Sequence, residues 1–173
     1  MPRPNGIIFY SGPSAIDGRP IVAVAVGFHT SSNNRKTGGM IQTHILRSDL
    51  SPVTAVKVGE DKSICGGCIH RPTIAKRTGA DPCYVNVGQG PNSVWKGVQR
   101  GIYPAVTPEE FAALCAGRLL RLGSYGEPVA VPHEVWTPAL ATCAGHTGYT
   151  HRWRTRSAAI WKGTLQALSL IHI

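Results

Sequence analysis

The chain has 173 residues, enough for one domain with one core, and its 18 Lys and Arg against 9 Asp and Glu leave a formal charge of +9. Hydrophobic residues make up 42% and charged residues only 16%, which excludes a disordered polyelectrolyte, while the cationic surplus favours an anionic partner such as nucleic acid or a phosphorylated small molecule. The longest apolar run, "PIVAVAVGF" (20–28), is too short to span a bilayer, and "MPRPNG" has no apolar run behind it, so the reading is a protein with neither membrane anchor nor signal peptide.

In chain order, "GIIFYSG" (6–12) reads as a short strand ended by a Gly-Pro turn, and the valine-rich "PIVAVAVGF" as a buried strand. "SSNNRKTGG" (31–39) reads as a polar hairpin loop carrying Arg35 and Lys36. "MIQTHILR" (40–47) and "PVTAVKVG" (52–59) read as further strands, giving a small N-terminal sheet. A glycine-rich segment with three cysteines (63–95) then reads as loop. "PNSVWKGVQRG" (91–101) predicts a helix with Asn92 as N-cap and Gly101 as stop. "TPEEFAALCAGRL" (107–119) predicts a helix opened by Thr107, Pro108 and a T-x-x-E capping box ending at Glu110. "LLRLG" (119–123) predicts a strand, "PHEVWTPALATCAG" (132–145) a helix that Pro138 kinks or delays, and "HTGYTHRW" (146–153) another strand. This alternation predicts parallel βα units, whose chemistry sits at the C-terminal ends of the strands.

Five cysteines without a secretory signal suit a reducing cytoplasm, where close-spaced thiols bind metal more often than they pair. Cys115 and Cys143 fall at helical spacing among apolar residues and read as core packing. Cys65, Cys68 and Cys83 lie in loop-like sequence, and Gly66 and Gly67 let the first pair turn toward one point. Ligation is the preferred reading over a redox pair. Zinc would need a fourth ligand, for which His70 is nearest, ahead of His133, His146 and His151. An iron–sulfur cluster would use three thiolates and leave one iron open. The spacing leaves both open.

Two further stretches carry a resemblance. "RLGSYGEPVAVPHEVWTPAL" (121–140) holds "GEP" between a predicted strand and a helix, and it resembles the Gly-Gly-Glu-Pro segment of radical S-adenosylmethionine (radical SAM) enzymes, with Tyr125 in place of the first glycine. "CYVNVGQG" (83–90) sets an aromatic, Tyr84, beside the last of the three cysteines, as is common in that family next to the cluster. "R-x-G-S-Y-G-E-P" (121–128) followed by "G-Y-T-H-R-W" (148–153) is similar to a set of bacteriophage proteins, distantly like the radical-SAM-like phage gene product 88 group. The resemblance covers about half the chain, from Cys65 to Trp153, and the cysteine spacing differs from the family's C-x-x-x-C-x-x-C. It implies an α/β chain in which N-terminal strands precede βα units of a partial radical-SAM-like, TIM-type barrel. It also implies a cluster on Cys65, Cys68 and Cys83 and an S-adenosylmethionine pocket at Gly126, Glu127 and Tyr84.

Glu127 reads either as a ligand or base at a strand end or as a solvated turn carboxylate. Strand alternation puts Tyr149 and His151 on one face, where His151 is a candidate base, ligand or core histidine. Arg152, Trp153 and Arg154, with Arg156 beyond, interleave cations with an aromatic, a pattern suited to phosphate contact and base stacking. Arg35, Lys36, Arg71, Lys76 and Arg77 add to the expected basic surface. The terminal "LSLIHI" (168–173) matches the translation of a transposon mosaic-end adapter, so residues 1–167 are read as one α/β domain of metagenomic origin whose natural sequence continues. The expected protein is therefore a phage-encoded, metal-binding, radical-SAM-like iron–sulfur protein acting on an unknown, anionic substrate in the cytoplasm of the infected bacterium. The alternatives are a zinc-stabilised nucleic-acid-binding module and a structural phage protein whose cysteines secure a loop.

Overall fold

The structure is a computed structural model that describes residues 5–30 and 37–152. Its described part is a mixed α/β fold built on an open five-stranded sheet in the order β1-β2-β3-β4-β5. The strands are β1 (Gly6–Pro13), β2 (Pro20–Val26), β3 (Ile41–Arg47), β4 (Leu119–Tyr125) and β5 (Gly145–Gly148). β1, β2 and β3 form an antiparallel meander, whereas β3, β4 and β5 pair in parallel. The run Ile21–Ala25 of β2 is buried on consecutive residues, so both faces of the sheet are covered there. That is why its sequence lacks alternation.

The β3–β4 crossover holds α1 (Pro52–Val58), α2 (Lys62–Cys65), α3 (Pro72–Thr78), α4 (Gly90–Gln99) and α5 (Pro108–Cys115), and α6 (His133–Thr142) lies between β4 and β5. α5 and α6 pack together, and Phe111 and Trp136 from them close on Phe9 of β1, with ring centroids 4.4 and 4.9 Å from it. Trp136 Nε1 donates to the Pro128 carbonyl at 3.1 Å, so the indole is buried with its one donor satisfied. α5 opens with the expected capping box: Thr107 Oγ1 accepts from Glu110 N, and Glu110 Oε2 accepts from Thr107 N. Cys115 is fully buried in this core, where its thiol is pushed up to about 12 by burial, and Cys143 packs half-buried against it.

Several expected elements differ. Residues 52–59 form helix α1, not a strand. Ser51 Oγ accepts from Thr54 N, Pro52 sits in the first turn, and Gly59 closes the helix at φ 79°. Its buried residues, Pro52 and Ala55, have helical spacing. The cysteine segment is not one loop, because α2 and α3 flank Cys65 and Cys68. α4 begins at Gly90, so Asn92 lies inside it and is not the cap. α6 runs through Pro138 without ending. β5 stops at Gly148, before Tyr149 and His151. β4 runs two residues past its expected end, to Tyr125.

That extension is produced by a bulge. Ile41 pairs with Leu120 and Gln42 with Arg121, but His44 pairs with Tyr125, so β4 carries extra residues opposite Thr43. Thr43 Oγ1 fills the gap, donating to Arg121 O at 2.9 Å and accepting from Gly123 N at 2.8 Å. Gly123 takes φ 67° and Gly126 φ 86°, and a Cβ on Gly126 would stand 2.8 Å from both Cβ and O of Ile45. The two glycines therefore let the chain turn at the C-terminal end of β4, beside the cavity, with Gly126 packed against Ile45 of β3.

Candidate functional site

A cavity of about 550 Å³ lies at that turn. Three chain segments meet on it: the cysteine region, the end of β4, and residues 149–151 after β5. Cys65 ends α2, and Gly66 follows at φ 59° with its N–H on Lys62 O at 2.7 Å. Cys68 N then donates to Cys65 O at 3.3 Å, which folds the C-G-G-C turn so that both thiols face the cavity. Cys83 arrives from the far side of α3 and is fixed by its own N–H on His70 O at 2.8 Å. Cys68 is buried, Cys65 half-buried and Cys83 exposed.

A buried ion pair braces this loop. Arg71 Nε and Nη2 donate to both oxygens of Asp61, at 2.9 and 2.6 Å, while Nη2 also reaches Gly59 O at 2.7 Å and Nη1 reaches Gly66 O at 3.3 Å. Arg71 is 7% exposed. It was expected on the basic surface and instead holds the cysteine turn, because Asp61 and two carbonyls converge on its fork. Lys76 and Arg77 of α3 are exposed as expected.

Burial pushes the Cys65 thiol well above its ordinary value, and the fields of Asp61, Cys68 and Cys83 push the same way. Burial also raises Cys68, with Cys83 and Glu127 adding to the rise. The fields of the neighbouring sulfurs thus add to burial in keeping the Cys65 and Cys68 thiols protonated. A bound cation would reverse that balance.

The residues expected to face the cysteines do so. Gly126 and Glu127 line the cavity, and Glu127 N donates to Ile64 O at 2.6 Å, tying the end of β4 to α2. Glu127 is 4% exposed, so it is not a solvated turn carboxylate. Its Oε2 accepts from His151 N at 3.0 Å and is bonded by the Thr150 side chain, whereas Oε1 has no hydrogen-bond partner among the described residues. Burial raises its pKa against those hydrogen bonds and the field of Arg152. His151 Nδ1 lies 3.9 Å from Glu127 Oε2, but burial and His70 lower the pKa of His151, so the neutral ring makes this a contact between neutral and acidic groups rather than an ion pair. Tyr149 and Tyr84 also line the cavity, with Tyr84 largely exposed and its Oη 3.4 Å from Arg121 Nη2.

His70 is held edge-on to His151, with ring centroids 5.6 Å apart. His70 Nδ1 lies 2.8 Å from Asp81 O. A carbonyl only accepts, so Nδ1 carries the proton and the lone pair is on Nε2, which is the arrangement a metal-bound imidazole adopts. Among the described residues, no three His, Cys, Asp or Glu side chains form a group that could hold a metal ion. The three thiols and His70 are ligands by residue type, but the described side chains are not gathered into such a group. Thiolates around one zinc must converge on a point about 2.3 Å from each sulfur, whereas a cluster spreads its ligand positions over several irons.

The basic residues divide. Arg152 lies on the cysteine turn, since a Cβ on Gly66 would stand 2.8 Å from Arg152 Nη1. Its field also reaches Glu127. Trp153, Arg154, Arg156, Arg35, Lys36 and the 168–173 tail lie outside the described residues. The structure adds Tyr125, whose hydroxyl is buried against the cavity, together with Thr150 and the Arg71–Asp61 brace. Gly123 inside a strand pattern was the available signal for the bulge that brings Tyr125 here. No family model, curated protein or solved structure matches the chain. No helix among the described residues is long and apolar enough to cross a membrane.

Proposed function

We propose that the chain is a phage-encoded, radical-SAM-like protein in which Cys65, Cys68 and Cys83 hold an iron–sulfur cluster beside a pocket for S-adenosylmethionine. One observation carries this reading. Three cysteines meet a Gly126–Glu127 strand end across a cavity of about 550 Å³, which is larger than a closed structural zinc site needs. The parallel β3–β4–β5 half, with its helical crossovers, supports reading the sheet as part of a barrel of that type.

A cluster held by three thiolates leaves one iron for a small ligand and supplies an electron there. The chain's own residues would do the rest. Gly126 lets the chain pack against Ile45 beside the cavity, and the unshared Glu127 oxygen would accept from a donor such as an ammonium group. Tyr149 and His151 stand on the same wall, where His151, neutral by its lowered pKa, can take a proton. The surplus of cations favours an anionic substrate, a nucleic acid or nucleotide, and the reducing cytoplasm of the infected host keeps the thiols available. The zinc reading rests on His70, whose Nδ1–H bond to Asp81 O leaves Nε2 ready as a fourth ligand in a nucleic-acid-binding module without catalysis.

Metal and sulfide analysis with a visible spectrum, on protein purified without oxygen, separates these. Iron with matching sulfide, lost in Cys65→Ala, is the expected result. Stoichiometric zinc without iron would refute the cluster and make His70→Ala the next variant. Neither metal would leave the thiols a packing role only.

A further inference from the structure

Exposed charge is sorted by element. α5 and α6 pack together, carry the exposed carboxylates Glu109, Glu110 and Glu134, and contain no Lys or Arg. The stretch from α1 to α4 is the reverse. Lys57, Lys62, Lys76, Arg77, Lys96 and Arg100 are exposed there, and none of them forms an ion pair among the described residues. The nearby acids are engaged elsewhere. Glu60 Oε2 accepts from Arg47 at 3.1 Å, and both Asp61 oxygens accept from Arg71. Asp81 is the one exposed acid left in residues 52–100.

Four of these cations surround one junction. α1 packs on α3 and α4. A Cβ on Gly59, which closes α1, would stand 3.7 Å from Thr73 Cγ2 in the first turn of α3, so Lys57 ends beside that turn. Lys76 and Arg77 follow Thr73 at the spacing that shares a helix face. Lys62 opens α2 directly after Asp61, which Arg71 ties to Gly59. Like charges gathered at a surface repel, and an anion from outside relieves them. None of the four lines the cavity, so they do not serve a small ligand held there. Spread over successive helices, they suit a phosphate backbone. Tyr84 follows α3, is 79% exposed and lines the cavity, which offers an aromatic face for an unpaired base.

We propose that the exposed face of α1, α2 and α3 binds single-stranded nucleic acid, with phosphates on Lys57, Lys62, Lys76 and Arg77 and a base stacked on Tyr84. This rests on the anionic-partner part of the reading above and not on the metal.

The experiment follows a fluorescently labelled single-stranded DNA oligomer by anisotropy over a salt series, with iron and sulfide read on the same protein and circular dichroism checking each fold. Wild type is compared with a triple variant (Lys57→Gln, Lys76→Gln, Arg77→Gln), a second triple variant (Arg35→Gln, Lys36→Gln, Arg154→Gln) and Tyr84→Ala. The first triple variant should weaken binding and lower the salt slope by about 2, since each phosphate contact on a single strand contributes about 0.7. Tyr84→Ala should weaken binding at least about fivefold with the slope unchanged. No binding by wild type, or a change of slope confined to the second triple variant, overturns the proposal. So does equal binding to anionic phospholipid vesicles with no effect of Tyr84→Ala. Iron and sulfide without DNA binding overturns this surface alone, and DNA binding without iron and sulfide supports it while overturning the cluster.

Discussion

Replacing Arg71 with Met tests whether the cysteine turn depends on its buried brace. The substitution keeps an unbranched apolar stem but removes every donor. Asp61 would then keep a buried carboxylate without its counter-ion, and the carbonyls of Gly59 and Gly66 would lose their donors. Arg71 and Asp61 side chains are 8% and 2% exposed, so water replaces little of what is lost. Breaking a buried pair by removing one partner costs about 3–5 kcal/mol, a large share of the roughly 5–15 kcal/mol that holds a domain of this size. Urea unfolding followed by circular dichroism at neutral pH gives the loss directly. A native-state thiol titration should show Cys68, buried in the wild type, reacting with the speed of exposed Cys83. The double variant Asp61→Leu with Arg71→Met removes the stranded charge and should recover part of the loss. A single variant within about 1 kcal/mol of wild type, with Cys68 still protected, would refute the brace.

His44 sits in β3 with its Nδ1 buried and unbonded among the described residues, and burial, then the field of Arg121, lowers its pKa to about 4. The folded state resists the proton, so this stability is complete above the unfolded value of 6.5 and is lost as pH falls toward 4. At 1.36 kcal/mol per unit the loss is roughly 3 kcal/mol. Urea midpoints from pH 7 to 4.5 should fall more steeply in wild type than in His44→Val, and parallel curves would remove His44 from the account. Gly126→Ala should lower the thermal midpoint through two terms, a positive-φ backbone worth about 1–2 kcal/mol and a clash with Ile45. Gly79→Ala, at φ 73° with nothing within 4 Å of its Cβ, carries the backbone term alone. Equal losses in the two variants would show that Ile45 yields.

Local signals were legible wherever they were self-contained. The Thr107 capping box, the buried run of β2 and the core cysteine Cys115 need only their neighbours in sequence. α1 was misread because "PVTAVKV" is too short for its apolar spacing to separate helix from strand, although Ser51, Pro52 and Gly59 spelled a helix. The three cysteines and Glu127 stood out by residue type, and the structure brings them to one cavity. Tyr125 did not stand out. Its position depends on a bulge stabilised by Thr43, which is distant in sequence. Arg71 read as one cation among many, since nothing local shows that Asp61 and two carbonyls will surround it.

The sheet divides the labour of assembly unevenly. β1, β2 and β3 are joined by connections of 6 and 14 residues and pair with their sequence neighbours, whereas β3 meets β4 only after a crossover of about seventy residues has closed. The cysteines and His70 travel on that crossover, and Glu127 and His151 lie beyond it. Each half of the site is therefore anchored to a different part of the chain. Opening the parallel seam would separate thiols from carboxylate while the antiparallel meander stayed paired, so the site can be dismantled by a local excursion that leaves half of the sheet standing.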